Sequence, residues 1–196
     1  MQESGTLLQI EPVDAASADG KPATDTQSQV SLVISGGIEP IEYARVQVLI
    51  MLDELNNLYI DTIDMDSKTL HVNAGRKRST IQSIERESGA NIYIPSPFFG
   101  VLQSAVPPKV QERRHTVYVT GPPQAVSRAR EMLQAISKKS RNQVKRQVTL
   151  MPRKLDWLLL ERLEALREVM LDNSTFLELP LIGSQRGQVT VHGTSR

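Results

Sequence analysis

An internal repeat limits what this chain can fold into. Val30-Ser31-Leu32-Val33-Ile34-Ser35-Gly36 and His115-Thr116-Val117-Tyr118-Val119-Thr120-Gly121 are short β-branched runs that stop at Ser/Thr-Gly, and proline follows each within four residues. An amphipathic segment comes next in both. Its apolar positions are Ile41, Ala44, Val48 and Met51 in one copy and Val126, Ala129, Leu133 and Ile136 in the other, every pair 85 residues apart. Ala44-Arg45 matches Ala129-Arg130 in the same way. This 3-4-3 spacing predicts a helix with one buried face. Residues 188–193 repeat the strand pattern with no helix pattern behind it.

A second repeated half precedes each later strand. Residues 69–72 read as a strand, 80–88 as a helix and 91–95 as a strand that ends at proline. In the other copy 147–150 read as a strand, 156–171 as one helix and 175–180 as a strand, with Pro95 and Pro180 again 85 apart. The unit is β-α-α-β-loop-β-α, and repeats decide a fold before any single segment does. Four regions result. Residues 1–29 form a polar tail, 30–57 the strand–helix end of one unit, 67–140 a whole unit, and 146–196 a unit without its last helix. The tail is too polar to offset the entropy of ordering and is expected to be disordered. The unmatched ends predict a piece of a longer protein, or a chain that completes its units by association. The helix at 40–55 is expected to pack its Ile41/Ala44/Val48/Met51 face on the whole unit.

Composition narrows the function. The 196 residues are 39% hydrophobic and 23% charged, enough apolar material for a core. There is no cysteine, hence no disulfide framework and no thiolate nucleophile or metal ligand. His71, His115 and His192 lie too far apart for a metal-binding pair, and no cofactor is expected. The longest apolar stretch, 46–52, is interrupted by Gln47 and is too short to span a bilayer. No signal segment opens the chain. These features predict a soluble intracellular protein, cytoplasmic with a nuclear location left open, that does not engage membranes. No paired carboxylates beside a phosphate loop, no Gly-x-Ser-x-Gly and no His-Glu-x-x-His occur, so an enzyme is not expected. The net charge of +1 is unevenly spread: −4 over 1–29, −6 over 30–66, +11 over 67–147 and zero over 148–196. A surplus of that size attracts polyanions, nucleic acid first. The plainer alternative is a solvated basic face beside an acidic one.

The run Val72-Asn73-Ala74-Gly75-Arg76-Lys77-Arg78-Ser79-Thr80-Ile81-Gln82-Ser83-Ile84-Glu85-Arg86-Glu87-Ser88-Gly89-Ala90-Asn91-Ile92-Tyr93-Ile94-Pro95 resembles a type I KH domain. That family reads apolar-x-x-Gly-x-x-Gly-x-x-Ile-x-x-Ile, then Ser-Gly-Ala before a strand. Gly75, Ile81, Ile84, Ser88, Gly89 and Ala90 fall at those places. Together with Met151-Pro152-Arg153-Lys154-Leu155-Asp156-Trp157, the run looks like the multi-KH RNA-binding proteins of fungi. The resemblance implies an α+β type I KH fold, β-α-α-β-β-α, in which helices pack a three-stranded antiparallel sheet, repeated in tandem. It also implies binding of single-stranded RNA, with mRNA regulation as the role. A glycine loop lets the backbone approach a sugar-phosphate chain and clamp about four nucleotides. The implied site is Gly75, Arg76, Lys77, Arg78 and Ser79 at the phosphates, Ile81, Ile92 and Ile94 beneath the bases, and Arg113 and Arg114 at the start of the closing strand. Ile92 and Ile94 read equally well as core.

The sequence departs from the family at Arg78, which replaces the second loop glycine. If the loop needs φ > 0 there, an L-residue costs roughly 1–2 kcal/mol. Arg78 adds a cation, yet its side chain can stand where RNA should lie. The last unit departs further. Pro152-Arg153-Lys154-Leu155-Asp156, where a loop is expected, has no glycine. Leu155, Leu159, Leu163, Leu166 and Met170 form one stripe, with Trp157, Leu158 and Leu160 off it, which predicts burial on two sides of the 155–171 helix. A neighbouring KH unit or a protein partner would supply the second side. Trp157 and the Phe98-Phe99 pair read as packing residues rather than base-stacking ones. The basic run 138–146 reads as a nuclear signal, a phosphate track or a solvated helix end. Against the RNA-binding reading stands a degenerate KH scaffold for protein–protein contact.

Overall fold

The computed structural model describes residues 6–12, 30–98, 101, 115–138 and 143–194. Three antiparallel sheets follow one another along the chain. The first pairs β1 (Leu7–Pro12) with β2 (Val30–Ser35), and helix α1 (Ile38–Leu55) follows. The second has strand order β3 (Tyr59–Asp64), β5 (Thr116–Gly121), β4 (Asn91–Tyr93). Between β3 and β4 run α2 (Ser67–Asn73), a 3-10 turn at Arg76–Arg78 and α3 (Ser79–Ser88), and α4 (Pro123–Lys138) follows β5. The third sheet has order β6 (Gln143–Thr149), β8 (Gln188–Thr194), β7 (Phe176–Glu178), with α5 (Pro152–Glu161) and α6 (Leu163–Asn173) between β6 and β7. The central unit is therefore a full β-α-α-β-β-α, and the third follows the same order through its last strand.

Alternation along β5 builds the first core. Val117 and Val119 point to one side of the sheet and meet Leu70 of α2, Ile81 and Ile84 of α3, and Val126, Ala129 and Leu133 of α4. Each such large side chain, fully buried, contributes about 1.5–3 kcal/mol. The second core is shared between units. Leu155, Leu159, Leu163, Met170, Phe176 and Val189 of the third unit close over Val72, Phe98 and Val101 of the central one. Phe98 packs, as the sequence suggests, while Phe99 lies outside the described residues.

Several expectations need correction. Residues 7–12 of the tail are a strand: among the described residues β2 has no other strand beside it, and pairing with β1 satisfies backbone groups along it. The rest of the tail, 1–5 and 13–29, lies outside the described residues. Residues 69–72 are helical, because the Asp66 carboxylate accepts from the Thr69 amide and caps α2, and Leu70 and Ala74 share the helix's buried face. The first strand of the central sheet lies ahead of residue 67, at β3. Asp61 hides it in the sequence, and its charge is met by an ion pair with Arg130 of α4.

The 156–171 segment is two helices broken at Arg162 (φ −133°, ψ 24°). At the 85-residue offset this break falls on Lys77, so the counterpart of the glycine loop is residues 160–163, and Pro152 opens α5 instead. The leucine stripe keeps its period through a one-residue break, which makes the two helices read as one. Trp157 is not core: it stands 52% exposed, with the Arg162 guanidinium 5.9 Å from its ring centre.

Helix α1 lies on the central sheet, on the face opposite α2–α4, and meets it through the side that carries Glu42, Val46 and Asp53; of the expected Ile41/Ala44/Val48/Met51 face, Ala44 is buried and Met51 is exposed. Its Asp53 carboxylate accepts hydrogen bonds from the buried Thr120 hydroxyl, from the Tyr93 hydroxyl at 2.7 Å and from Asn91 Nδ2 at 3.2 Å. Glu42 and Val46 line a small space beside Tyr118. At 100° per residue, Glu42, Val46 and Asp53 stand on the far side of the helix from Ile41, Ala44, Val48 and Met51. The sequence could not show that a polar side would dock, because Asp53 finds its three donors on strands distant in the chain.

Candidate nucleic-acid interface

Gly75 opens the loop between α2 and α3 at φ +78°, ψ 163°. A Cβ there would stand 2.5 Å from Thr80 Oγ1, 2.6 Å from Ser79 Oγ and 3.0 Å from the Thr80 amide nitrogen, so the position requires glycine. Lys77 (φ +51°) and Arg78 (φ +63°) follow, both left-handed. The backbone thus keeps at Arg78 the conformation that a second glycine would take.

The Arg78 side chain turns inward. Its Nη2 donates to the carbonyl oxygen of Ile92 at 3.4 Å, bridging from the loop to β4. Burial pulls its pKa below the usual arginine range against the pull of Glu85, and Arg167 and Arg45 push the same way as burial. The guanidinium therefore occupies the groove between the loop and β4. Of the other expected residues, Arg76, Lys77 and Ser79 stand in solvent. Ile81 (0% exposed) and Ile92 (2%) are core and offer no surface to bases. Ile94 is half-buried and borders the same groove as Gly75 and Arg78. Arg113 and Arg114 lie outside the described residues, as do 139–142 of the basic run.

The third unit closes the groove from the other side. Helix α6 packs on the Arg76–Arg78 turn. Asp172 of α6 stands 3.8 Å from Lys77 Nζ, a solvent-exposed pair. Arg167 of α6 makes a two-pronged ion pair with Glu42 of α1, both contacts 3.0 Å, joining the first and third units across the central one. That pair holds the Arg167 pKa above its usual value in spite of burial. What remains is a cleft of about 250 Å³ lined by Gly75, Arg78, Ile94 and Pro95 on one wall and Glu164 and Arg167 on the other. This cleft is smaller than the roughly 300–1,000 Å³ of small-ligand sites.

His71 sits behind the loop at the same junction. Its Nδ1 lies 2.7 Å from the Ser67 carbonyl oxygen and its ring 5.7 Å from that of Phe176. Burial pulls its pKa below the ordinary histidine value; the Ser67 carbonyl opposes this, and Arg78 and Arg167 add to it. Nearby, Glu178 of β7 accepts from Lys68 of α2 and from His192 of β8, each at 3.1 Å, and these bonds hold its carboxyl below the usual range. Glu42, His71, Arg167 and Asp172 are absent from the sequence-derived site, since a contact between units leaves no local pattern.

These features define tandem type I KH units whose central glycine loop is flanked by the next unit. Sequence comparison agrees: the chain belongs to the KH domain family. The description "KHD4 second KH domain" matches residues 57–143, "Mug60/KHD4 KH type I domain" matches 145–196, and "KHD4 first KH domain" matches 1–53. Over 199 aligned residues the chain is 38% identical to K homology domain-containing protein 4 of Mycosarcoma maydis, an alignment that covers 98% of this chain and 14% of that protein. The chain thus spans about 14% of the length of this curated relative. Two solved structures from Pyrococcus horikoshii OT3 are also similar, each at 13% identity. They are an a/eIF2alpha–aDim2p–rRNA complex (TM-score 0.30, covering 70% of this chain and 77% of that one) and Dim2p (TM-score 0.31, 69% and 81%). Likeness at that level bears on neither fold nor partner. No helix among the described residues is long and apolar enough to cross a membrane.

Proposed function

We propose that this chain is the bracing block of a single-stranded-RNA-binding protein that acts on mRNA. It locks three KH units together, and it meets the RNA backbone through exposed cations without reading bases in the central groove. The observation that carries this reading is the Arg78 guanidinium held on the Ile92 carbonyl beneath α6, in the space a clamped strand would use. Membership of a family of RNA-binding modules supports the RNA partner, and the +11 charge over 67–147 supports a contact with phosphates.

Selection of bound oligonucleotides from a random pool, with a salt titration, tests this. The expected result is weak binding, indifferent to sequence, that falls steeply with salt. Replacing Arg76→Asp and Lys77→Asp leaves the fold intact, because both side chains stand in solvent and such changes cost within about 0.5 kcal/mol. The log–log salt slope becomes shallower by about 1.4, at roughly 0.7 per lost phosphate contact. Enrichment of one defined sequence, abolished by that double substitution, would mean the groove opens and reads bases. A second reading, a scaffold that has lost RNA contact altogether, draws on the Lys77–Asp172 pair, which engages one of the loop cations with protein. Absence of any salt-sensitive binding would establish it.

A further inference from the structure

Trp157 is the only tryptophan of the chain, and it stands where the core of its own unit cannot use it. Leu155 and Leu159 fix the buried side of α5, at 2% and 0% exposure. At 100° per residue each lies about 160° around the helix from Trp157. The indole is 52% exposed, and Leu160, one turn further along the same side, is 60% exposed.

Cations surround the ring. Arg153 stands one turn before it on the same side, Lys154 follows Arg153, and the Arg162 guanidinium lies over the ring at 5.9 Å from its centre. All three are exposed, and among the described residues none of them forms an ion pair. Of the two carboxylates of α5, Asp156 is turned to the Gly183 amide at 3.1 Å, and Glu161 is the one that shares this side.

The central unit uses its equivalent positions differently. At the 85-residue offset Arg153 and Arg162 correspond to Lys68 and Lys77, which meet Glu178 and Asp172 of the third unit. Trp157 corresponds to Val72, which is buried between the two units. An aliphatic residue between paired cations makes a protein contact. An indole between unpaired cations has the chemistry of a single-strand platform: a base stacks on the ring whatever its identity, and the phosphates on either side of that base meet the cations.

We infer that Trp157 is a stacking platform for a base of single-stranded RNA, with Arg153, Lys154 and Arg162 as its phosphate contacts. The platform lies at the opposite end of α6 from Asp172 and the Lys77 loop, outside the central groove. It rests on the proposal that the chain meets RNA, and it gives that contact an aromatic anchor that tolerates any sequence.

The lone tryptophan reports on this site directly. The whole chain is titrated with oligouridylate and with an abasic ribose-phosphate strand of equal length while Trp157 emission is followed. A fluorescein label on either strand gives total binding by anisotropy in a parallel titration. Oligouridylate should quench the emission in step with the rise in anisotropy. The abasic strand should bind more weakly and leave the emission unchanged. Trp157→Ala should weaken oligouridylate binding roughly fivefold or more, the lower end of what one base–aromatic stack contributes. Trp157→Phe keeps a ring and should retain most of the affinity. Both variants change an exposed side chain, and circular dichroism checks that they fold. Oligouridylate binding without quenching, quenching by the abasic strand, or unchanged affinity in Trp157→Ala overturns the inference and leaves the RNA reading standing. No binding of either strand at low salt overturns both. Emission that ignores RNA and shifts to the blue as protein concentration rises would overturn the inference and assign this face to contact between copies of the chain.

Discussion

Replacing Arg78 by glycine separates two things this arginine does at once. Its backbone sits at φ +63°, ψ 24°, where an L-residue is disfavoured by about 1–2 kcal/mol. Glycine removes that strain. It also removes the bond to the Ile92 carbonyl oxygen, which at 3.4 Å belongs at the weak end of the usual net contribution of about 0.5–1.5 kcal/mol. It further adds about 0.5–1 kcal/mol of freedom to the unfolded chain. The terms nearly cancel, so Arg78→Gly is expected to stay within about 1 kcal/mol of the parent, a shift of at most a few degrees in Tm for a chain of this size. Arg78→Ala loses the same bond and keeps the strain but avoids the entropic cost of glycine, so it should be less stable than Arg78→Gly by roughly 0.5–1 kcal/mol. Chemical denaturation of the three proteins measures both differences. If the alanine variant equals or exceeds the glycine variant, the strain at 78 does not exceed the entropic cost of glycine, about 0.5–1 kcal/mol, and the reasoning fails. RNA affinity provides the second readout. Helix α6 still covers the loop in Arg78→Gly, so affinity should change by less than threefold. A tenfold gain would show that the guanidinium alone closes the groove.

Gly75→Ala should destabilise by about 2 kcal/mol in the same assay, since its Cβ meets Thr80 and Ser79 oxygens at 2.5 and 2.6 Å on a left-handed backbone. Arg167→Ala strands Glu42, whose side chain is only 21% exposed. The expected loss is about 1–3 kcal/mol, between that of a surface pair and that of a buried one, and Glu42→Gln in the same background should recover part of it. The pH dependence has a defined sign. The folded pKa of His71 is depressed, so the unfolded chain takes the proton first. The stability His71 contributes is whole above the unfolded value of about 6.5 and is lost as pH falls through it toward the folded value. Denaturation midpoints at pH 7.5 and 5.5 should therefore drop in the parent and much less in His71→Gln. Asp53 acts in a lower window. Burial alone would raise its pKa, but the bonds from Thr120, Tyr93 and Asn91 hold it below the ordinary value. Its contribution is whole above about pH 4 and is lost as pH falls through the folded pKa, which Asp53→Asn should flatten.

Much of this molecule was legible because its information is local and periodic. The Val117/Val119 alternation, the α4 stripe and the glycine loop each rest on spacings within a few residues, and the structure places all three in one core and its rim. What stayed hidden depended on partners far away in the chain. Strand β3 carries an aspartate that reads as a breaker until Arg130 is set beside it. The polar side of α1 reads as solvent-facing until Thr120, Tyr93 and Asn91 converge on Asp53. The site was half legible for the same reason. Family pattern located the loop and marked Arg78 as the anomaly, but which way the guanidinium turns is decided by a carbonyl fourteen residues on and by a helix of the next unit.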